Sequence, residues 1–413
     1  MQISYEPKYL VMVDAGGNRN KYYRLIQNGD TWVAKYGRVG SSSQTRTYSK
    51  YEFEKKYREK IRKGYVDQTD LVQDLISVEK PKAKPEYRPI DNTAINEIVE
   101  RLQSMARKVI SENYTVSSNK VTQAMVDEAQ DILTGLLNVT DIKQFNNELV
   151  KLFTTIPRKM SSVSSYIANK PDDFNKIIHR EQDLLDVMKG QVVQKQIVDK
   201  AEEDNEPINN ITVLEALGLE FEECSKDDIA TIKVALGSCA DKFHKAWKVK
   251  NIKTQARFDK FVEDNNIKDI RLLFHGSRNE NWWSIIQSGL VLRPTNAIIT
   301  GKLYGYGIYF APKARKSLGY TSLNGSYWAR GNANSGFMAL MSVAYGTPYD
   351  VYDFNSKYGS LDYDGLQKFK KGANCLHAHA GASMGYSNLR NDEIIVYKDE
   401  QCTIKYLVEL KNG

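Results

Sequence analysis

Three short stretches in the C-terminal half carry side chains that could work together. In "RLLFHGSRNENWW" an apolar run ends on His275, Gly276 and Ser277, an imidazole and a hydroxyl around a residue with no side chain. In "TGKLYGYGIYFA" three glycines, Gly301, Gly305 and Gly307, precede Tyr309, and "KARKSLGYTS" then brings Tyr320. In "NDEIIVY" a lone carboxylate, Glu393, stands just before an apolar strand. A glycine-rich loop lets backbone come close to a ligand, tyrosines offer flat faces that enclose a ring, and a fixed carboxylate steadies developing positive charge. Each residue taken alone reads as structural, a hydrogen-bonded histidine at a strand end or one core tyrosine among 25. The glycines lack G-x-G-x-x-G spacing at a strand-to-helix turn, so a Rossmann dinucleotide site is not supported.

Other groups offer less. The cysteines, Cys224, Cys239, Cys375 and Cys402, are scattered with no C-x-x-C pair, which fits a reduced intracellular setting. Cys375, His377 and His379 alternate in "CLHAHAG", but three donors without a clear fourth make a weak pattern, and no metal site is expected. No apolar run approaches the roughly 20 residues of a membrane span. The start "MQISYEPKYL" has no basic segment leading into an apolar one, so neither secretion nor membrane insertion is expected.

The elements that must hold these residues divide into three segments. A chain of 413 residues with 41% hydrophobic and 26% charged residues suits a soluble protein of about two or three domains. In the first segment, "YYRLIQNGDTWVAKYGRVG" has two strand-like runs around Asn28-Gly29-Asp30, a strong hairpin signal. "SKYEFEKKYREKIRKGY" follows with near-helical spacing and Gly64 as its stop, which predicts one helix across a twisted sheet. The linker "EKPKAKPEYRPI", with three prolines and four cations, can form no core. Four amphipathic helices come next, in "NTAINEIVERLQSMARKVI" with Thr93 as cap, "KVTQAMVDEAQDILTGLL", "TDIKQFNNELVKLFTTIP" stopped by Pro157, and "HREQDLLDVMKGQVVQKQIV". The last segment mixes short strands, aromatic residues and most of the glycine.

Residues 1–89 hold 18 Lys and Arg against 11 Asp and Glu, a net charge of +7, which is the net charge of the whole chain. One small domain carrying all the excess charge reads as a surface for a polyanion.

His275, Tyr309 and Glu393, in this order and with these neighbours, resemble the catalytic domain of the poly(ADP-ribose) polymerases. "KYGRVG" is similar to that family's WGR module, and "DEAQDIL", "LVKLFTTIP" and "REQDLLDV" are similar to its helical regulatory domain. The resemblance covers essentially the whole chain. It implies a multidomain α+β protein: a small WGR-like domain of sheet plus helix over 1–80, a basic linker over 81–90, an all-α regulatory domain over 91–205, and a mixed α+β ADP-ribosyltransferase domain over 211–413.

The resemblance further implies NAD as substrate, with no metal. Nicotinamide leaves as a neutral ring, so the second carboxyl group of ordinary glycosidases is unnecessary. His275 would bond a ribose hydroxyl. Gly276 and Ser277 would hold the carboxamide, with Ser317 among the NAD-binding residues, and Tyr309 and Tyr320 would enclose the ring. Glu393 would bond the nicotinamide ribose, steady the cationic transition state and orient the incoming hydroxyl. Tyr36 and Arg38 would hold DNA strand breaks. The activity implied is DNA-break-stimulated transfer of ADP-ribose to protein acceptors, the protein itself included, and onto a growing chain, at DNA in a nucleus or nucleoid and away from membranes. A mono-ADP-ribosyltransferase or NAD glycohydrolase is one alternative, against which retained Glu393 speaks. A catalytically inactive DNA-end-binding scaffold is another, against which the intact His275, Tyr309 and Glu393 speak.

The chain departs from the family pattern in places. Tyr36 stands where the family has the tryptophan of its motif, Tyr306 where many relatives carry lysine, and Val291 where an adenosine-side arginine is usual, with Arg293 nearby as a substitute. "CLHAHAG" replaces the usual loop before the last strands. Adenosine contacts and acceptor choice are the features these changes put in doubt.

Overall fold

A computed structural model of the protein describes residues 6–39, 42–71, 87–203, 208–292, 303–353, 355–384 and 388–412. Arg293, Gly301, Gly40 and most of the proline-rich linker lie outside the described residues. The fold is α+β, with contacts dividing the chain into two compact units. One comprises the described residues up to 71 together with 108–193, and the other comprises 87–107 and the described residues from 194 onward.

The first unit begins with strands β1 (Lys8–Asp14), β2 (Arg19–Asn28), β3 (Thr31–Arg38), β4 (Ser43–Ser49) and β5 (Val66–Asp67), in the sheet order β4-β3-β2-β1-β5. The expected hairpin joins β2 to β3, with Asn28 opposite Thr31. Gly29 takes φ +58° in the two-residue turn, a conformation glycine adopts without cost. Helix α1 (Phe53–Arg62) lies over one face, where Leu10, Tyr23, Leu25, Trp32, Ala34 and Phe53 form the core. Gly64, at φ +84°, follows its end as the sequence predicts.

The helical segment supplies α2 (Thr93–Asn113), α3 (Gln123–Leu136), α4 (Ile142–Thr155) and α5 (Asp173–Glu203). Residues 93–107 of α2 belong to the second unit and 108–113 to the first. The expected cap shifts by one position. Thr93 is already helical, and Asn92 Oδ1 accepts the Ile95 N–H at 3.1 Å, so the amide satisfies the free donor of the first turn. Helix α4 stops at Thr155, two residues before Pro157.

The second unit holds two sheets. One has the order β6-β7-β14-β10-β8, built from β6 (Leu219–Glu223), β7 (Phe243–Asn251), β8 (Ile270–Gly276), β10 (Ser335–Ala344) and β14 (Cys402–Lys411). The other has the order β11-β12-β13-β9, built from β9 (Ile308–Phe310), β11 (Pro348–Val351), β12 (Cys375–Ala378) and β13 (Glu393–Val396). A reciprocal backbone pair between Phe274 and Ala311, at 2.8 and 3.0 Å, joins β8 to the chain just after β9. That bridge sets the His275 strand against the Tyr309 strand. The central strands β10 and β14 are ten residues each, longer than the short strands expected, and are buried through Phe337, Met338, Leu340, Leu407 and Val408.

Within this unit, helix α2 grips β14. The Arg101 guanidinium bonds both oxygens of Glu409, whose residue is only 1% exposed, and also the Ser335 hydroxyl at 3.1 Å. Burial alone would raise the Glu409 pKa, but Arg101 overrides it and holds the carboxyl below its ordinary range.

Candidate active site

His275 is the penultimate residue of β8, and its Nδ1 lies 3.1 Å from the Tyr309 carbonyl oxygen. A carbonyl can only accept, so Nδ1 carries the proton. Burial pushes the imidazole pKa down, partly opposed by that bond, and the ring stays neutral near pH 7 with Nε2 as an acceptor. Such a group suits a sugar hydroxyl. One nitrogen fixes the ring, and the other keeps its acceptor lone pair.

Gly276, next along, packs against the short helix Ala314–Leu318 that follows β9. A Cβ at this position would strike the Ser317 carbonyl, so the close approach is backbone on backbone. Ser277 Oγ accepts from Asn281 Nδ2 at 3.1 Å, which uses a lone pair and leaves the hydroxyl proton for a ligand oxygen. Ser317 is itself buried, and its carbonyl accepts the Tyr320 N–H at 3.0 Å. One carbonyl thus meets Gly276 and sets the position of Tyr320.

The two tyrosines are held differently. Tyr309 donates its hydroxyl to the Gly305 carbonyl at 3.0 Å and accepts the Tyr304 N–H at 3.3 Å, which leaves its ring face as the useful part. Tyr320 stacks on Trp328, with ring centroids 6.2 Å apart and planes 21° apart, so an aromatic pair stands where a single ring was expected. The reason for the glycines also changes. A Cβ at Gly305 would collide with Leu361 backbone, and one at Gly307 with Ile395, so both serve internal packing rather than direct ligand approach.

Glu393 is the first residue of β13 rather than a residue before it, and is buried. In the β9–β13 register Tyr309 faces Ile395, which puts Glu393 two residues, about 7 Å, along the same face. Its carboxylate pairs with the Lys316 ammonium from the short helix. Burial pushes the Lys316 pKa down to about 8, and the neighbouring Asp392 carboxylate pushes it back up. Lys316 was missed in the sequence, where it is one cation among three in "PKARKS"; its only signal was its position directly before Ser317. The structure therefore brings His275, Gly276, Tyr309, Ser317 and Glu393 together through three direct contacts: His275 with Tyr309, Gly276 with Ser317, and Lys316 with Glu393.

Tyr36 and Arg38 sit at the end of β3 in the first unit. Tyr36 stacks on the core residue Tyr23 at 5.5 Å and 27°, and half-buries itself in doing so. Arg38 donates through Nη1 to Ser161 O at 2.6 Å and through Nη2 to Asn18 O at 2.9 Å. Nearby, Asn20 Nδ2 donates to Met160 O at 2.7 Å. These side chains fasten the sheet to the loop after α4, a task the sequence did not suggest.

The "CLHAHAG" donors also gain partners. Asp350, His377 and His379 place ligand atoms within 4.8 Å of one another, the one such group among the described residues. The two imidazoles lie face to face, 4.0 Å apart and 18° from parallel. Stacked rings direct their nitrogen lone pairs along parallel planes instead of at one point. Each ring is also bonded to a carboxylate, His377 to Asp392 and His379 to Asp350.

A sequence model described as the poly(ADP-ribose) polymerase catalytic domain matches residues 226–412, and one described as the WGR domain matches residues 6–72. A protein of Invertebrate iridescent virus 6, named as a putative poly [ADP-ribose] polymerase-like protein, is 32% identical over 174 residues, covering 41% of this chain and 87% of its own. The rice protein named poly [ADP-ribose] polymerase 2-A is 24% identical over 400 residues, covering 83% of this chain and 58% of its own. The human protein named protein mono-ADP-ribosyltransferase PARP3 is 24% identical over 473 residues, covering 95% of this chain and 85% of its own.

Proposed function

The chain belongs to the poly(ADP-ribose) polymerase family, an ADP-ribosyltransferase with a WGR domain, and we propose on that premise that it transfers ADP-ribose from NAD to protein acceptors, itself included, and onto a growing chain when DNA is broken. The observation that carries the reading is the meeting of His275, Gly276, Tyr309 and Ser317 with a Lys316-paired Glu393. In this reading Gly276 backbone and the Ser277 proton hold the carboxamide, beside Ser317. Tyr309 and Tyr320 enclose the ring, and His275 Nε2 accepts from a ribose hydroxyl. Glu393 then balances the positive charge that grows on the ribose as neutral nicotinamide departs, and orients the attacking hydroxyl. No step requires a Lewis acid.

DNA binding is assigned to the basic N-terminal segment around Tyr36 and Arg38, which places the protein at DNA inside the cell. Two of the five Arg38 donors are committed internally, and the rest can meet phosphate. Helices over 91–205 restrain the catalytic region until DNA binds, a role supported by the grip of Arg101 on buried Glu409. No helix among the described residues is long and apolar enough to cross a membrane. The second reading, transfer of single ADP-ribose units, has one favouring observation, the name of the human relative.

Incorporation of labelled NAD with and without nicked or blunt DNA, with the products sized on a gel, tests both readings. DNA-dependent ladders are expected. A single band would leave mono-transfer, and no nicotinamide release at all would leave a scaffold.

A further inference from the structure

The histidines of "CLHAHAG" have no part in the site described above, yet one of them adjoins it. His377 lies on β12, 8% exposed, and is paired in register with Ile394 of β13. Its two ring nitrogens are both engaged, Nδ1 with the Tyr345 hydroxyl at 2.7 Å and Nε2 with Asp392 Oδ2 at 3.0 Å. Burial pushes the Tyr345 pKa up to about 12, so its hydroxyl keeps its proton and donates to Nδ1. Nε2 then carries the imidazole proton and donates to Asp392. A single neutral tautomer satisfies the whole chain of bonds.

The ring is also fixed on its face. His379 stacks on it at 4.0 Å, Tyr352 stacks on His379 at 4.4 Å and 6°, and His379 Nε2 bonds Asp350 Oδ1 at 2.7 Å. Asp392 is therefore gripped at both oxygens, because its Oδ1 accepts the Ala380 N–H at 3.0 Å. Asp392 immediately precedes Glu393, and the Lys316 ammonium that pairs with Glu393 also feels the Asp392 charge. Two adjacent carboxylates compete for one half-buried cation. Satisfying Asp392 from the opposite side leaves the cation to Glu393.

We propose that His377 is a positioning residue for Glu393, acting through Asp392. The proposal rests on the reading of Glu393 as the carboxylate that meets the NAD ribose. Without His377, Asp392 Oδ2 is free to turn toward Lys316, and the Glu393 carboxylate loses the partner that sets its direction. Such a shift affects the transition state more than the bound substrate.

The test uses the full chain with DNA, comparing wild type, His377→Ala, His377→Gln, Asp392→Asn, the double variant His377→Ala/Asp392→Asn, and Glu393→Gln. The kcat for ADP-ribose transfer, the KM for NAD, the melting temperature and the metal content are measured for each. His377→Ala is expected to lower kcat about 10- to 100-fold with KM within about twofold. His377→Gln, which keeps an N–H for Asp392, should recover most of the rate, and it serves as the informative variant if His377→Ala does not fold. The double variant should be no slower than the slower single variant, as expected when two residues act along one path. Wild-type kcat in both folded His377 variants, with Glu393→Gln impaired, overturns the positioning role and leaves the Glu393 reading standing. Wild-type rate and product length in Glu393→Gln would instead remove that reading. Multiplicative losses in the double variant, or a stoichiometric metal present in wild type and lost from His377→Ala, also overturn the proposal.

Discussion

His275 and Arg38 illustrate two ways of using a polar side chain. His275 commits Nδ1 to the Tyr309 carbonyl and retains Nε2 as an acceptor, and Ser277 likewise accepts from Asn281 while retaining a proton to donate. Arg38 gives donors to two backbone carbonyls, and Tyr36 lays its face on Tyr23. In the proposed reading of the catalytic region, internal bonds aim a remaining atom at substrate. In the N-terminal sheet, internal bonds take up two of the five Arg38 donors, and packing takes up a face of Tyr36. The lesson is that a substrate site needs convergence, which the fold can impose on single atoms, whereas a polyanion surface works through summed charge and tolerates side chains with a second task.

Glu393→Gln gives the largest expected effect and tests the first half of that contrast. The amide keeps the shape and loses the charge, so NAD binding should persist while chain extension is abolished and transfer falls by at least about 100-fold. Polymer of wild-type length from this variant would break the comparison, because the carboxylate would then be as structural as Arg38.

Gly276→Ala comes next. The added methyl meets the Ser317 carbonyl, a backbone group that cannot swing aside. Displacing the carboxamide cradle by a fraction of an ångström should cut kcat/KM for NAD about 10- to 100-fold, with stability lower by about 1–3 kcal/mol. Nicotinamide-release kinetics and a thermal melt measure both. Unchanged kcat/KM would mean that β8 and the short helix do not form the cradle together.

How much of this was readable from the sequence follows the same division. The end of β8 on His275-Gly276, the Gly29 hairpin and the helices over 93–203 were legible because each depends on local periodicity or turn chemistry. The Lys316–Glu393 pair and the His377–Asp392 bond were not, since they join positions 77 and 15 residues apart through sheet pairings that no local pattern announces. The parallel pairing of β11 with β12, which brings Asp350 beside the histidines, is of that kind. The Arg38 tie to Ser161 spans 123 residues and was invisible for the same reason. For Gly305 and Gly307 the need for glycine was legible, and the packing partner behind it was not. The ligand was blamed for what Leu361 and Ile395 demand.

Arg38→Ala is a smaller effect and sharpens the second half of the contrast. It removes a proposed phosphate donor and unties β3 from the loop at Ser161, so the ratio of DNA-stimulated to basal rate should fall about 10-fold, as expected for losing one charged hydrogen bond worth about 1.5 kcal/mol. Affinity for broken DNA should remain steeply dependent on salt and nearly independent of sequence. An equal drop in basal and stimulated rates would show that Arg38 acts on the catalytic region itself, contrary to a sensor role.

The smallest expected effect is on acidification, and it separates the two regions without a mutation. Burial lowers the His275 pKa below its ordinary value of 6.5, so the folded protein takes up this proton less readily than the unfolded chain. By linkage the His275 contribution to stability is complete above pH 6.5 and declines as pH falls below it, the reverse of a histidine held charged by a partner. Activity should follow the folded pKa. From pH 7 down to 6.5, where Lys316 is already charged, Nε2 remains an acceptor and the KM for NAD should be flat. Below the lowered pKa, Nε2 gains a proton and loses its bond to the ribose hydroxyl, which should raise KM about 2- to 10-fold, the worth of one neutral hydrogen bond. His275→Asn, which does not titrate, should start with the higher KM and lose the acid limb. Because the proton lands in the catalytic region, basal and DNA-stimulated rates at subsaturating NAD should fall together and their ratio should stay level. A ratio that drops with pH while the KM stays flat would place the titrating group among the DNA contacts and reverse the assignment of tasks between the two regions.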